Sequence, residues 1–178
     1  MFQTDFSVNN GGFKYADDTF RDTNQPDYAA GRRVRKRGGY LGIWLGGIDN
    51  KEIWDMSGSW SRHIQLPPET RVVCITFTYS LNLASTFGEG DYAEILATFG
   101  NQFLGDGEVV ARVEGAGRNK AQKTGKKKFF MELSVQTGGD YKLVLGGFLL
   151  FKHGKKDVAR IRFYDVLVEA GTDEHRSI

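Results

Sequence analysis

Apolar and polar residues alternate along much of this chain with a period of two. In RVVCITFTYSLNL, Val73, Ile75, Phe77, Tyr79 and Leu81 form one row, and Cys74, Thr76, Thr78, Ser80 and Asn82 form the other. That is the signature of a half-buried β-strand. KFFMELSVQ repeats it, with Phe129, Met131, Leu133 and Val135 set against Phe130, Glu132 and Ser134. In VARIRFYDVLVEA, one row is Ala159, Ile161, Phe163, Asp165 and Leu167, and the other is Val158, Arg160, Arg162, Tyr164 and Val166. Shorter strands are expected at FKYA near Phe13, from Gly39 to Ile48, Asp55 to Leu66, Asp91 to Gly100, Glu108 to Gly115 and Tyr141 to Phe151. Only the stretches around Ala29 to Arg37 and Asn50 to Met56 tolerate a helix, and both are short and weakly capped. Roughly eight to ten strands with Gly-rich turns predict an all-β fold, an antiparallel two-sheet sandwich or a barrel.

Composition narrows this picture. The 178 residues suit one domain, with 23 glycines for turns and bulges and only 3 prolines. The expected domain therefore runs over 1–178, with 1–10 and 171–178 flexible. A single cysteine, Cys74, excludes an intrachain disulfide and any site built from several cysteines. No stretch is long and apolar enough to span a bilayer, and the N-terminus lacks a basic start followed by an apolar run. The net charge of +2 alone implies no polyanion partner, but two basic clusters stand out: GRRVRKR, with Arg33 and Arg35, and NKAQKTGKKK, with Lys126 and Lys127. The second lies in the segment from Gly115 to Lys128, which reads as the most loop-like part of the chain.

The blocks YADDTFRDTNQPDYAAG, LGGIDNKEIWDMSGSWSRHIQL, ITFTYSLNL, DYAEILATFG, LVLGGF and IRFYDVLVEA occur in an order that resembles a jelly-roll module of large multidomain bacterial surface and secreted proteins. More distantly the chain is similar to the jelly rolls of MAM domains and carbohydrate-binding modules. The resemblance implies jelly-roll topology, a first strand beside the last, and an extracellular or cell-surface setting. It also implies a calcium ion tying the two strands together. The matching last-strand positions are Phe163, Tyr164, Asp165 and Val166, where Tyr164 replaces one of two acids.

On that reading the metal ligands are Asp17, Asp18 and Asp165. Asp165 sits in the otherwise apolar row of its strand, and an ionised carboxylate there needs a partner. Acids converging on it would repel without a cation, and an all-oxygen set suits calcium. The plainer alternative pairs Asp165 with an arginine such as Arg21 and uses Asp17 or Asp18 to cap a turn.

Catalytic signals are thin. His63, His153 and His175 are far apart, no GxSxG accompanies the serines of MSGSWSR, and carboxylate pairs are unavoidable among 22 acids. The expectation is a non-catalytic module that binds glycan, with Trp54, Tyr28, Tyr40 and Tyr92 as stacking candidates. Trp44 and Trp60 are further candidates, but both fall in blocks that recur in the resembling modules and suit the core equally well. Arg33, Arg35, Lys126 and Lys127 are candidates for contacting an acidic polysaccharide through charge-assisted hydrogen bonds. A charge run is also an ordinary way of keeping sheet edges apart. Nucleic acid is disfavoured because no RNP motif, zinc finger or recognition helix is visible. Two other classes stand beside this one. An assembly subunit binding protein neighbours predicts an open sheet edge or an extended terminus, and a polysaccharide-active enzyme predicts a deep cleft with converging titratable groups.

Overall fold

A computed structural model describes residues 1–172. Its strands are β1 (Phe2–Thr4), β2 (Lys14–Asp17), β3 (Ala29–Val34), β4 (Tyr40–Gly46), β5 (Ile53–Leu66), β6 (Val72–Leu83) and β7 (Tyr92–Phe99), followed by β8 (Gln102–Phe103), β9 (Ala111–Glu114), β10 (Gln122–Lys123), β11 (Lys127–Ser134), β12 (Gly139–Lys152) and β13 (Val158–Gly171). Every pairing among them is antiparallel. The seven-stranded sheet runs β10-β6-β13-β4-β3, with β11 also on β6 and β1 on β13. The six-stranded sheet runs β2-β5-β12-β7-β8, with β9 also on β7. From β4 to β7 and from β11 to β13 the chain changes sheet at each connection, as a jelly roll requires. The expected two-sheet β-sandwich is what the structure shows.

The alternation read from the sequence explains the core. Val73, Ile75, Phe77 and Leu81 of β6 meet Leu143, Leu145 and Leu149 of β12 and Ala93, Ile95 and Ala97 of β7, all buried. Trp60 also belongs to this interior, and its indole Nε1 donates to the carbonyl of Gly42 in the opposite sheet at 3.1 Å. A buried indole needs an acceptor, so this bond ties the sheets together at a defined place.

Two expectations change at the chain's start and in β13. Residues 1–10 are not a loose arm: β1 pairs with β13, Phe6 is fully buried, and Arg33 Nε donates to the Phe6 carbonyl at 2.8 Å. In β13 the register shifts between Phe163 and Asp165. Ile161 and Phe163 are buried before that bulge and Val166 and Val168 after it, so the inward row changes parity at Tyr164. Asp165 is thereby turned out of the core row, and so is Leu167. In the loop-like segment from Gly115 to Lys128, β10 docks on β6 through Gln122 opposite Leu83 and Lys123 opposite Asn82.

Candidate functional site

Each sheet has an outer face, and the two are built differently. Over the six-stranded sheet lies the chain's own segment 18–25. Phe20 packs with Leu96 and Phe148 there, and Arg21 Cζ lies 4.5 Å from the centre of the Phe148 ring. Three residues of this segment, Asp18, Arg21 and Asp22, have φ between 52° and 56°, so local backbone preference alone does not hold it. Side chains do. Asp18 Oδ1 accepts from Thr23 Oγ1 at 2.9 Å and from the Gln25 amide at 2.8 Å, and Ser57 Oγ accepts from the Phe20 amide at 3.1 Å. Beneath it, the Glu94 carboxylate is fully buried. Its Oε1 accepts from Arg112 Nε at 2.8 Å, and Arg21 Nη2 lies 2.5 Å from Oε2 as a charge contact without hydrogen-bond alignment. This carboxylate is held between two guanidiniums, those of Arg21 and Arg112.

Among the described residues, nothing covers the outer face of the seven-stranded sheet in this way. Its residues follow from pairing. Along β4 the outward row is Tyr40, Gly42 and Trp44; across it, Gly42 faces Arg32 of β3 on one side and Arg162 of β13 on the other. Trp44 faces Arg160, which in turn faces Asn82 of β6, and Asn82 faces Lys123 of β10. Gly42 matters to this arrangement. A Cβ there would lie 2.5 Å from Trp44 Cη2 and 3.3 Å from Tyr40 Cε2, so the two rings close over the glycine.

Cations and rings interleave over this part of the face. Arg32 Cζ lies 4.8 Å from the Trp44 ring centre, Arg162 Cζ 4.9 Å from that of Tyr40, and Lys126 Nζ 4.2 Å from that of Tyr164. Tyr40 and Tyr164 rings are 5.8 Å apart, and the Tyr164 hydroxyl is hydrogen-bonded to Ser80 Oγ at 2.9 Å. The rings are half-buried, while Arg32, Arg160, Lys123 and Lys126 are exposed. Guanidinium groups stacked on rings keep their in-plane N–H donors available at the edge. The face therefore offers aromatic surface and cationic donors together. Farther along the same sheet the charge reverses: the Cys74 thiol pKa is pushed up, first by burial and then by Glu132 and Glu169.

Of the residues singled out from sequence, Tyr40 and Lys126 belong to this face. Trp54 is 56% exposed, but at one end of the sandwich, its ring centre 4.1 Å from that of Phe151 with the planes tilted. Tyr28 is buried and donates to Asp49 Oδ2 at 2.8 Å, so it is no stacking surface. The Asp49 carboxyl is held below its ordinary pKa, chiefly by the Lys51 amide, with Tyr28 and the buried Lys152 also contributing. Tyr92 lies on the other sheet, its ring 4.1 Å from Arg112 Cζ. Arg33 is engaged with the Phe6 and Ser7 carbonyls, Arg35 is exposed beside the β3 terminus, and Lys127 is exposed opposite Tyr79 at the β11 edge. His153 Nε2 lies 3.1 Å from Asp91 Oδ2, His63 Nδ1 lies 2.6 Å from Asp140 Oδ2, and His175 falls outside the described residues.

The three acids assigned to calcium are not brought together. Asp17 and Asp18 follow the six-stranded sheet, where Asp17 is opposite Gly58 of β5. Asp165 belongs to the seven-stranded sheet and accepts from Thr78 Oγ1 at 3.0 Å. The first strand, β1, does lie beside the last, but the paired acids come with β2, which pairs with β5 in the other sheet. Among the described residues no group of three or more His, Cys, Asp or Glu is placed to hold a metal ion. Asp17 Oδ1 is nevertheless buried without a hydrogen bond. Beside it the Tyr15 hydroxyl has its pKa pushed well up, first by burial and then by Asp17.

No family model and no curated protein matches the chain. Among solved structures, it is similar to TmCBM61 in complex with beta-1,4-galactotriose, at 12% identity, 94% of this chain, 91% of that one and a TM-score of 0.43. It is also similar to TmCBM27, a carbohydrate-binding module described for specific mannan recognition, at 12% identity, 92% and 94% coverage and a TM-score of 0.46. A third is the enzymatically active domain of bacteriophage CBA120 tailspike protein 4, at 9% identity, where 90% of this chain covers 19% of that one with a TM-score of 0.40. These neighbours include the kind of module the sequence resembles, and the candidate site stands on its own geometry.

The residues of this face that the sequence did not single out are Arg160, Arg162 and Tyr164, whereas Arg32 and Lys123 lie within the two basic runs. A signal for the three existed: they alternate along one row of a strand, which is a row of recognition side chains if that face is open.

Proposed function

We propose that this protein is a non-catalytic extracellular or cell-surface module that binds an acidic polysaccharide on the outer face of its seven-stranded sheet. The observation that carries this reading is the convergence of two basic runs, distant in sequence, on one aromatic surface: Arg32 from the first and Lys126 from the second. Pyranose rings present apolar faces that stack on Trp44, Tyr40 and Tyr164, and the carboxylates or sulfates of such a polymer accept from Arg32, Arg160, Arg162 and the lysines. A neutral glycan would leave these cations unused, so the charge favours uronic or sulfated sugars.

Affinity electrophoresis and calorimetry against polygalacturonate, a sulfated galactan, neutral galactan and mannan test this. Retention by the acidic polymers is expected, with Trp44→Ala and Arg162→Ala each weakening it about tenfold. Binding should also weaken steeply with salt. Equal retention by neutral polymers, or indifference to both substitutions, overturns the reading.

Calcium enters as a separate proposal. With Asp165 on the other sheet, an ion would be held at the turn of Asp17 and Asp18, where Asp17 Oδ1 has no hydrogen bond. A melting temperature that rises with calcium, keeps its rise in Asp165→Ala and loses it in Asp17→Ala is expected. Identical melting in calcium and in chelator discards it.

A further inference from the structure

The strands that cross the open face in the order β3, β4, β13, β6 and β10 do not carry charge evenly. Their outward residues include Arg32 on β3, then Tyr40, Gly42 and Trp44 on β4, then Arg160 and Arg162 on β13, then Ser80 and Asn82 on β6, and Lys123 on β10. Cations thus stand on alternate strands of this band, and the strands between them offer rings, a hydroxyl or an amide. Neighbouring strands lie about 4.8 Å apart, so the step from one cationic strand to the next is about 9.5 Å. An extended polysaccharide laid across the strands advances by about one strand spacing per pyranose. Every second sugar therefore falls on a cationic strand, and the sugars between fall on uncharged ones.

Arg32 and Arg162 lean over the Trp44 and Tyr40 rings. The spacing is plainest in the row Arg160, Asn82, Lys123, which stand directly opposite one another on three successive strands. Among the described residues, these three side chains have no hydrogen bond, ion pair or ring contact. Arg160 and Lys123 are exposed, and Asn82 between them is half-buried. An amide carries donors on its nitrogen and an acceptor on its oxygen. A sugar hydroxyl or acetamido group also donates and accepts, so it uses both. A carboxylate only accepts, and would set its charge against the amide oxygen. In the neighbouring row Ser80 stands beside Arg162, which repeats the order of cation and neutral polar group.

We infer that the polymer taken by this face alternates acidic and neutral sugars and lies across the strands, with successive acidic groups on Arg160 and Lys123 and the neutral sugar between them on Asn82. The inference rests on the acidic-polysaccharide reading and names its substrate class: one anionic group per disaccharide, not one per sugar.

Calorimetry with two tetrasaccharides of opposite pattern tests it. In the hyaluronan tetrasaccharide glucuronate alternates with N-acetylglucosamine, whereas tetragalacturonate carries a carboxylate on every sugar. Charge alone favours tetragalacturonate, which has twice as many anions. The wild-type protein is nevertheless expected to bind the hyaluronan fragment about fivefold more tightly. Asn82→Lys puts a cation on the uncharged strand and should reverse that order. Asn82→Ala, which adds no charge, should bring the two ligands within about twofold of each other. Lys123→Ala should remove most of the affinity gained between the hyaluronan disaccharide and the tetrasaccharide, because the second acidic group loses its partner. Both Asn82 variants alter an outward side chain and leave the core untouched, and thermal melting checks that each is folded. Tighter binding of tetragalacturonate by the wild type, or an order unchanged in Asn82→Lys, overturns this inference and leaves the acidic-polysaccharide reading standing. So does binding of neither fragment while acidic polymers are retained. Binding of neither fragment and no acidic polymer overturns both.

Discussion

Glu94 sits in the outward row of β7, where a carboxylate would ordinarily meet water, yet it is fully buried. It is buried because Phe20 and Arg21 are laid across it and Arg112 reaches it from β9. An unpaired charge in that position is strongly unfavourable, so the guanidiniums are a condition of the loop's placement. Glu94→Ala should cost about 2 to 4 kcal/mol, toward the lower part of what breaking a buried pair costs, because both arginines can turn to water. Urea denaturation checks this; a loss within about 0.5 kcal/mol, as at an ordinary surface site, would mean the loop is held by Ser57 and Phe20 alone. The sequence showed Glu94 on a strand but not its burial, since the residues covering it belong to a distant loop. Asp165 erred in the opposite direction: strict alternation placed it inward, and a bulge that no residue type announces turned it out.

At the scale of elements, β4 is the organiser of the proposed site. Its outward row reads Tyr40, Gly42, Trp44, and the missing side chain in the middle lets both rings fold down flat. Gly42→Ala puts a methyl group against the far end of the Trp44 ring, a part that can swing away at small energetic cost. The expected outcome is a melting temperature within a few degrees of wild type, by roughly 1 kcal/mol or less, with acidic-polysaccharide binding weakened about fivefold. Unchanged binding in this variant would show that the flat Trp44 ring is not part of the contact. The alternating strands themselves were legible because a half-buried antiparallel strand must repeat every two residues. What was not legible is which outward row is open, since both sheets have one.

For the whole molecule, the consequence of the strand order is that β3 and β10 lie at opposite edges of one sheet, with β13 and β4 between them. The two basic runs thereby become the flanks of a band whose middle is supplied by Arg160 and Arg162. A polymer crossing the sheet can meet cations along the entire width. Screening acts on such contacts because the cations are exposed, which is why salt is a direct check on the acidic-polymer reading.

The sequence by itself determined an all-β fold, most of its strands though not β1, β3, β8 or β10, the identity of the inward rows of β6 and β11, and the presence of two basic runs and many aromatics. These are local properties: side-chain alternation, turn chemistry and composition are written in neighbouring residues. Only the tertiary structure decided that Asp17 and Asp165 lie on different sheets, that Trp60 is core while Trp44 is surface, that segment 18–25 closes one face, and that Arg32 and Lys126 share the other. Each of those depends on which strands become neighbours and where a bulge changes parity. Strand neighbours are chosen by the packing of the whole core, so no window of sequence contains them.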